Sequence, residues 1–175
     1  DIVNAISDKL EATILGSAAG SATMPAGIFN GVTPETKDIT YKRLVDMETA
    51  LEEANVAGNK CFIVSPSAKG ILKTTAKDAL YNVTDGGVHT CVGCAGCLME
   101  ENEVNGYPVY CTSNVTSKGV VMGHFEDFVI GQWGGIDLTV DPYTQAANGK
   151  VRLVINAYFD AKPRRTGSFQ KAILK

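Results

Sequence analysis

A mixed α+β fold is predicted for this 175-residue chain, with a small α/β lobe beside a separate set of long antiparallel strands. Three features predict it. Apolar residues recur at helical spacing in two stretches. A short apolar run leads directly into a capped helix. Near the C-terminus a long stretch alternates apolar and polar residues, the mark of a strand with two unlike faces.

The first helix runs from residue 1 to about 15. Ile2, Ile6, Leu10 and Ile14 line one face, because positions four apart stack along a helix. Gly16 stops it, and a small-residue loop follows, pinned by Ile28 and Phe29. Its glycines lack the lysine and the spacing of a phosphate-binding loop. Thr40 is the expected N-cap of a second helix, whose inner face is Leu44, Met47, Leu51 and Ala54. Cys61-Phe62-Ile63-Val64 is a buried strand. Ser65-Pro66 opens a third helix, with serine at the N-cap and proline at the first helical position.

Residues 74 to 105 are the least regular and predict a long exposed loop with a short hairpin. Gly106-Tyr107-Pro108 turns into a strand, and Pro108 marks an edge or a strand start. From Lys118 to Tyr143 three strands are expected: Val120 to Phe125, Phe128 to Trp133, and Ile136 to Val140. Their joints are Glu126-Asp127 and Gly134-Gly135, both turn formers. Gly131, Gly134 and Gly135 are hinge candidates. Gly135 in particular is expected to have a positive φ or to pack too tightly for a side chain. Asn148-Gly149 is a strong hairpin signal. The strand after it, Val151 to Phe159, should pair with Ile136 to Val140.

Composition excludes several classes. Hydrophobic residues make up 45% and charged residues 20% of the chain, as in an ordinary folded domain. A net charge of -3 gives no basic footprint for specific nucleic-acid binding. No window is apolar enough to span a membrane. The five cysteines are odd in number and clustered, unlike a secreted disulfide framework, so a reducing compartment is the default.

His89, Cys91, Cys94 and Cys97 are the sharpest chemical candidates. They supply the four ligands of a zinc site, but such short consecutive spacers crowd one ion, and zinc sites usually split their ligands into two pairs. An iron–sulfur reading wants a further cysteine where Glu101 stands. A Cys-x-x-Cys redox site should open a helix near a βαβ unit, and the glycine-rich flanks show none. Free thiols on a loop are the bland alternative and the favoured one, so no cofactor is expected. His124 and Glu126 could form an acid/base pair, but no nucleophile is placed near them; a solvent-side pair is the simpler reading. Lys162, Arg164 and Arg165 form a small basic patch suited to salt bridges.

The order of these blocks resembles the C-terminal part of a tailed-bacteriophage major capsid protein, the family with the Hong Kong 97-type fold. Leu15-Gly16 and Met24-Pro25-Ala26-Gly27-Ile28-Phe29 resemble the segment after that family's spine helix. Asn55 to Asn59, then Phe62 to Pro66, then Gly70 to Lys73 resemble the helix–strand–helix of its axial domain. Gly106 to Val109 is similar to a short motif of the same domain. Gly123 to Asp127, Gly131 to Gly135 and Val140 to Tyr143 resemble the return to its peripheral domain, completed by the strand ending near Arg164-Arg165 and Phe169. The cysteine cluster lies outside the pattern.

The resemblance implies a discontinuous peripheral domain, residues 1–35 and 133–175, around an axial domain of residues 36–132. The chain leaves the axial domain near Gly131 to Gly135. The family's N-terminal arm and extended loop are expected to lie outside this sequence. The implied function is structural: pentamers and hexamers of one subunit forming an icosahedral phage or prophage head that encloses DNA. The subunit would assemble in the bacterial cytoplasm with a scaffold, portal and prohead protease as possible partners, and would end in the virion. No enzyme activity is implied. The loop from Thr84 to Asn105 would point to a five-fold or six-fold centre, and the hairpin from Tyr143 to Lys150 would approach three-fold contacts. An encapsulin-type nanocompartment shell is the nearest alternative, and a zinc or redox protein using Cys91, Cys94 and Cys97 the second.

Overall fold

The computed structural model describes residues 2–77 and 96–175. Three α-helices and seven β-strands are formed among them: α1 (Ile2–Ile14), α2 (Tyr41–Glu53), β1 (Cys61–Val64), α3 (Pro66–Thr74), β2 (Glu103–Val104), β3 (Tyr107–Cys111), β4 (Gly119–Gly123), β5 (Phe128–Asp141), β6 (Arg152–Pro163) and β7 (Phe169–Ile173). They build two sheets. One has five strands in the order β2-β3-β1-β4-β7; the other is a two-stranded ribbon of β5 and β6.

Local chemistry places the helices where the sequence does. The Thr40 hydroxyl accepts from the backbone N–H of Arg43, and α2 buries Leu44, Met47 and Leu51. The Ser65 hydroxyl accepts from the N–H of Ala68, with Pro66 at the start of α3. Ser65 is itself 1% exposed, so its cap satisfies a donor that water cannot reach.

The five-stranded sheet is covered on both faces. Phe62 and Val64 of β1, Val120 and Met122 of β4, and Ala172 of β7 meet the buried side chains of α2 and α3. On the opposite face Val121 and Phe169 meet Ile14 and Leu15 from the end of α1, Ile28 and Phe29 from the following loop, and Ala161 from β6. Strand alternation alone divides β4 between these two cores; all five of its residues are buried. β1 pairs parallel with β3 and antiparallel with β4. The parallel pair needs a crossover, and α3 lies within it.

Several expectations change. Residues 96–105 are not an exposed loop: Leu98, Met99 and Val104 are almost wholly buried, so apolar burial outweighs the turn-rich composition. Asn105 and Gly106, both with positive φ, form a two-residue hairpin between β2 and β3. The second and third expected strands are one strand, β5. Gly134-Gly135 sits in a ladder irregularity between Trp133 and Asp137, after which pairing with β6 resumes. Trp133 pairs with Tyr158 and Asp137 with Asn156. The insertion is even, so each side chain keeps its face. Finally, Asn148-Gly149 lies in a longer connection with a turn of 3-10 helix at Ala146–Asn148, not in a two-residue turn.

Candidate assembly surfaces

The ribbon is exposed along most of its length, and its root is tightly fixed. The chain leaves the five-stranded sheet at Gly123, makes a 3-10 turn over Phe125–Asp127, and enters β5 at Phe128. It returns through Thr166–Ser168 into β7. These two passages are tied together. The backbone N–H of Arg164 donates to the Asp127 carbonyl, and that of His124 to the Ser168 carbonyl. The Ser168 hydroxyl donates to the Asp127 carboxylate. The Phe169 ring packs edge-on against Phe125 and Phe128, with centroids 5.3 and 5.9 Å away, a favoured aromatic geometry.

His124 belongs to this root. Its Nδ1 lies 2.8 Å from the Asn59 carbonyl, and its Nε2 lies 3.7 Å from the Glu126 carboxylate. The expected strand stops one residue short of it, so His124 and Glu126 meet on a turn, not along a strand face. The imidazole packs on Gly58, where a Cβ would come within 2.5 Å of the ring. Each contact is structural. The ring links the loop before β1 to the turn before β5.

Beyond the root, β5 and β6 carry two unlike faces. Ile130, Leu138 and Val140 share one with Leu153, Ile155 and Ala161. Helix α1 lies across the base of this face, and two apolar grooves flank it. One, of about 550 Å³, runs between α1 and β6 and is lined by Ile6, Leu10, Met24, Leu153, Ile155 and Phe159. The other, of about 380 Å³, lies against the β5 side near Ile14, Phe128 and Ile130. On the β5 side, Ile136, Leu138 and Val140 are each about half exposed. The other face holds Trp133 opposite Tyr158, at 60% and 65% exposure. Tyr143, near the tip, is 86% exposed. Contiguous exposed apolar surface of this kind marks an interaction site.

The three hinge candidates differ from one another. Gly134 has φ of +74°, a conformation costly for any residue with a Cβ. Gly135 has an ordinary φ and open space around it, so the expectation placed on it belongs to its neighbour. At Gly131 a Cβ would meet the Trp133 indole at 2.9 Å; the ring lies over the glycine on the same face.

Of the cysteine cluster, His89, Cys91 and Cys94 lie outside the described residues. Cys97 is disulfide-bonded, which corrects the free-thiol expectation for it and removes its thiolate from any metal set. Its backbone N–H donates to Glu100, and the backbone N–H of Lys77 donates to the Gly96 carbonyl and that of Leu98 to the Thr75 carbonyl. Among the described residues no group of three His, Cys, Asp or Glu could hold a metal ion. Cys61 and Cys111 are free. Burial pushes the Cys61 thiol up, which keeps it protonated and unreactive. No helix among the described residues is long and apolar enough to cross a membrane.

The described residues thus form a sheet body covered on both faces and a ribbon with exposed apolar surface. The phage capsid family model matches residues 1–173, and the chain belongs to that family. It is 31% identical over 133 residues to the major capsid protein of Halomonas phage phiHAP-1, a match covering 75% of this chain and 20% of that protein. The fold is similar to the capsid of an empty GTA particle, with TM-score 0.64 and 18% identity over 99% of this chain and 64% of that one. It is also similar to a chain of Gordonia phage Cozz, with TM-score 0.61 and 15% identity over 99% of this chain and 61% of the other. The chain thus spans less than two thirds of these solved relatives and about a fifth of the curated one.

Proposed function

We propose that this chain is the greater part of the shell-forming body of a phage major capsid subunit, self-assembling into an icosahedral head that encloses DNA. The observation that carries this reading is the family match over residues 1–173. The geometry supports it. A coat subunit needs a rigid body and protruding apolar surface that is buried only on assembly, and here these are the five-stranded sheet and the ribbon. The mild negative charge suits a shell that does not grip its nucleic acid through phosphate contacts. A nanocompartment shell is not favoured, because the family model and the curated relative are both phage capsid proteins.

In this reading residues 36–132 form the axial domain, and residues 1–35 with 133–175 the peripheral domain, β7 lending a strand back to the axial sheet. Gly131 and Gly134 are the hinge candidates that remain, where the chain passes from the axial to the peripheral domain. Pentamers and hexamers would form around the axial domain, with scaffold, portal and prohead protease as partners during assembly in the bacterial cytoplasm, and the virion as the final location. The test is expression of the full-length protein with its neighbouring genes, followed by electron microscopy. Closed shells are expected. Soluble subunits without shells under those conditions would refute the proposal.

A further inference from the structure

The two edges of the ribbon are not equivalent. The outer edge of β5 is interrupted at Gly134-Gly135, where the ladder slips, and bulges of this kind protect an edge from pairing with another chain. The outer edge of β6 has no such break. From Arg152 to Asp160 it contains no glycine, proline or lysine, the usual guards of an exposed edge. The β6 edge is open among the described residues, and a two-stranded ribbon gains stability from a further strand. Both features call for another strand beside β6.

We propose that this strand is β6 of a second copy, paired antiparallel about a two-fold axis at Asn156. The sequence of β6 is self-complementary in that register. Residues directly opposite share a face in an antiparallel pair, so Asn156 faces its own counterpart and Arg152 faces Asp160 at both ends. Val154 lies opposite Tyr158. On the apolar face Leu153 meets Phe159 and Ile155 meets Ala157, apolar against apolar. Shifting the register by two toward the C-terminus sets Arg152 against Lys162, a like-charge pair that disfavours it. The Asp160 carboxylate spends one oxygen on the Ala161 N–H and leaves the other for the partner. Arg152, opposite Asp141 of its own β5, then has a carboxylate on each side. Pairing over Arg152 to Asp160 gives an edge contact about 30 Å long and joins two apolar faces into one. It supplies the shell with a two-fold contact, and so rests on the capsid reading.

The test has two arms. In sedimentation of residues 1–175, a concentration-dependent dimer is expected. D160R sets two arginines against each other and should weaken the dimer about tenfold or more, and R152D/D160R should restore it. Circular dichroism monitors folding of each variant. In the second arm N156C is oxidised by dissolved oxygen in the full-length protein. A disulfide-linked dimer absent from the unsubstituted protein is expected, and this arm holds even if a charge variant misfolds. A monomer at all concentrations, a D160R variant that dimerises normally, or N156C without the crosslink would each overturn the pairing; the last is the result expected if another strand of the same chain occupies the edge. Shells that form with full yield from D160R protein would refute this contact alone. Failure of the unsubstituted protein to form shells would refute the capsid reading instead.

Discussion

The five-stranded sheet and the ribbon are built from similar side chains and treat them in opposite ways. Every residue of β4 is buried, whereas β5, with valine, isoleucine, leucine and tryptophan along its length, buries none. The sheet has helices α2 and α3 on one face and the end of α1 with its loop on the other. The ribbon has only α1, along the β6 side of one face. Apolar side chains left in water contribute nothing to folding the single chain, since the driving force is the area removed from water. The ribbon's apolar surface therefore represents stabilisation held back for contact with another surface. The joint between the regions is stiff, because Phe169, Asp127 and His124 tie the outgoing strand to the returning one.

Substitutions can break or sharpen this contrast. The largest effect is expected in the sheet. Phe62→Ala removes a ring that is 0% exposed and should lower unfolding stability by about 3–5 kcal/mol. Leu138→Ala, at 57% exposure, should change it by less than about 0.5 kcal/mol. Chemical denaturation of both variants measures this, and equal losses would mean that the ribbon already buries its apolar face within one chain.

Next is the buried cap. Ser65→Ala should cost about 1 kcal/mol by orphaning the Ala68 N–H, read by the same denaturation. Within the ribbon, Gly134→Ala should cost about 1 kcal/mol, while Gly135→Ala should be near neutral. Amide exchange of β5 and β6 distinguishes them, and a reversed order would remove the reason for the positive φ.

The smallest effect is at the tip. The Asp141 carboxylate accepts from the Thr144 hydroxyl and from the N–H groups of Thr144 and Tyr143, and these bonds hold its carboxyl below the usual range. Its folded pKa is the lower one, so its contribution is present above the ordinary carboxylate pKa and fades as pH falls through the depressed value. The tip should loosen on acidification, visible as broadening or shift of the Tyr143 and Thr144 amide resonances. Asp141→Ala should loosen it at all pH values.

Signals that act over a few residues were legible in the sequence. Thr40 and Ser65-Pro66 opened their helices because a cap is a local hydrogen bond. Leu44, Met47 and Leu51 faced inward because helical spacing fixes a face. The resemblance to phage capsid proteins lay in short blocks in a set order, and the family match bears it out. The pairing of β5 with β6 followed from alternation on both strands. The interaction surface was less visible, because exposed Leu138 and buried Val121 look alike in a sequence.

What only the tertiary structure decided was how those local pieces are used. Two Asn-Gly pairs carry the same intrinsic turn preference, yet Asn105-Gly106 makes the tight hairpin, where Val104 is drawn into the core, and Asn148-Gly149 ends a looser connection. Gly134-Gly135 could have turned the chain. It became an irregularity within one strand because β6 offers a continuous ladder on the other side, and hydrogen bonds resumed after an even insertion restore every side chain to its face. Residues 96–105 belong to a stretch expected as an exposed loop and instead bury Leu98 and Met99, with the Met99 N–H donating to the Leu72 carbonyl of α3. Sequence by itself determined the type and inward face of α2 and α3, since those depend on neighbours along the chain. Only the folded structure settled which faces found a covering, because that depends on residues far apart in sequence arriving at one place.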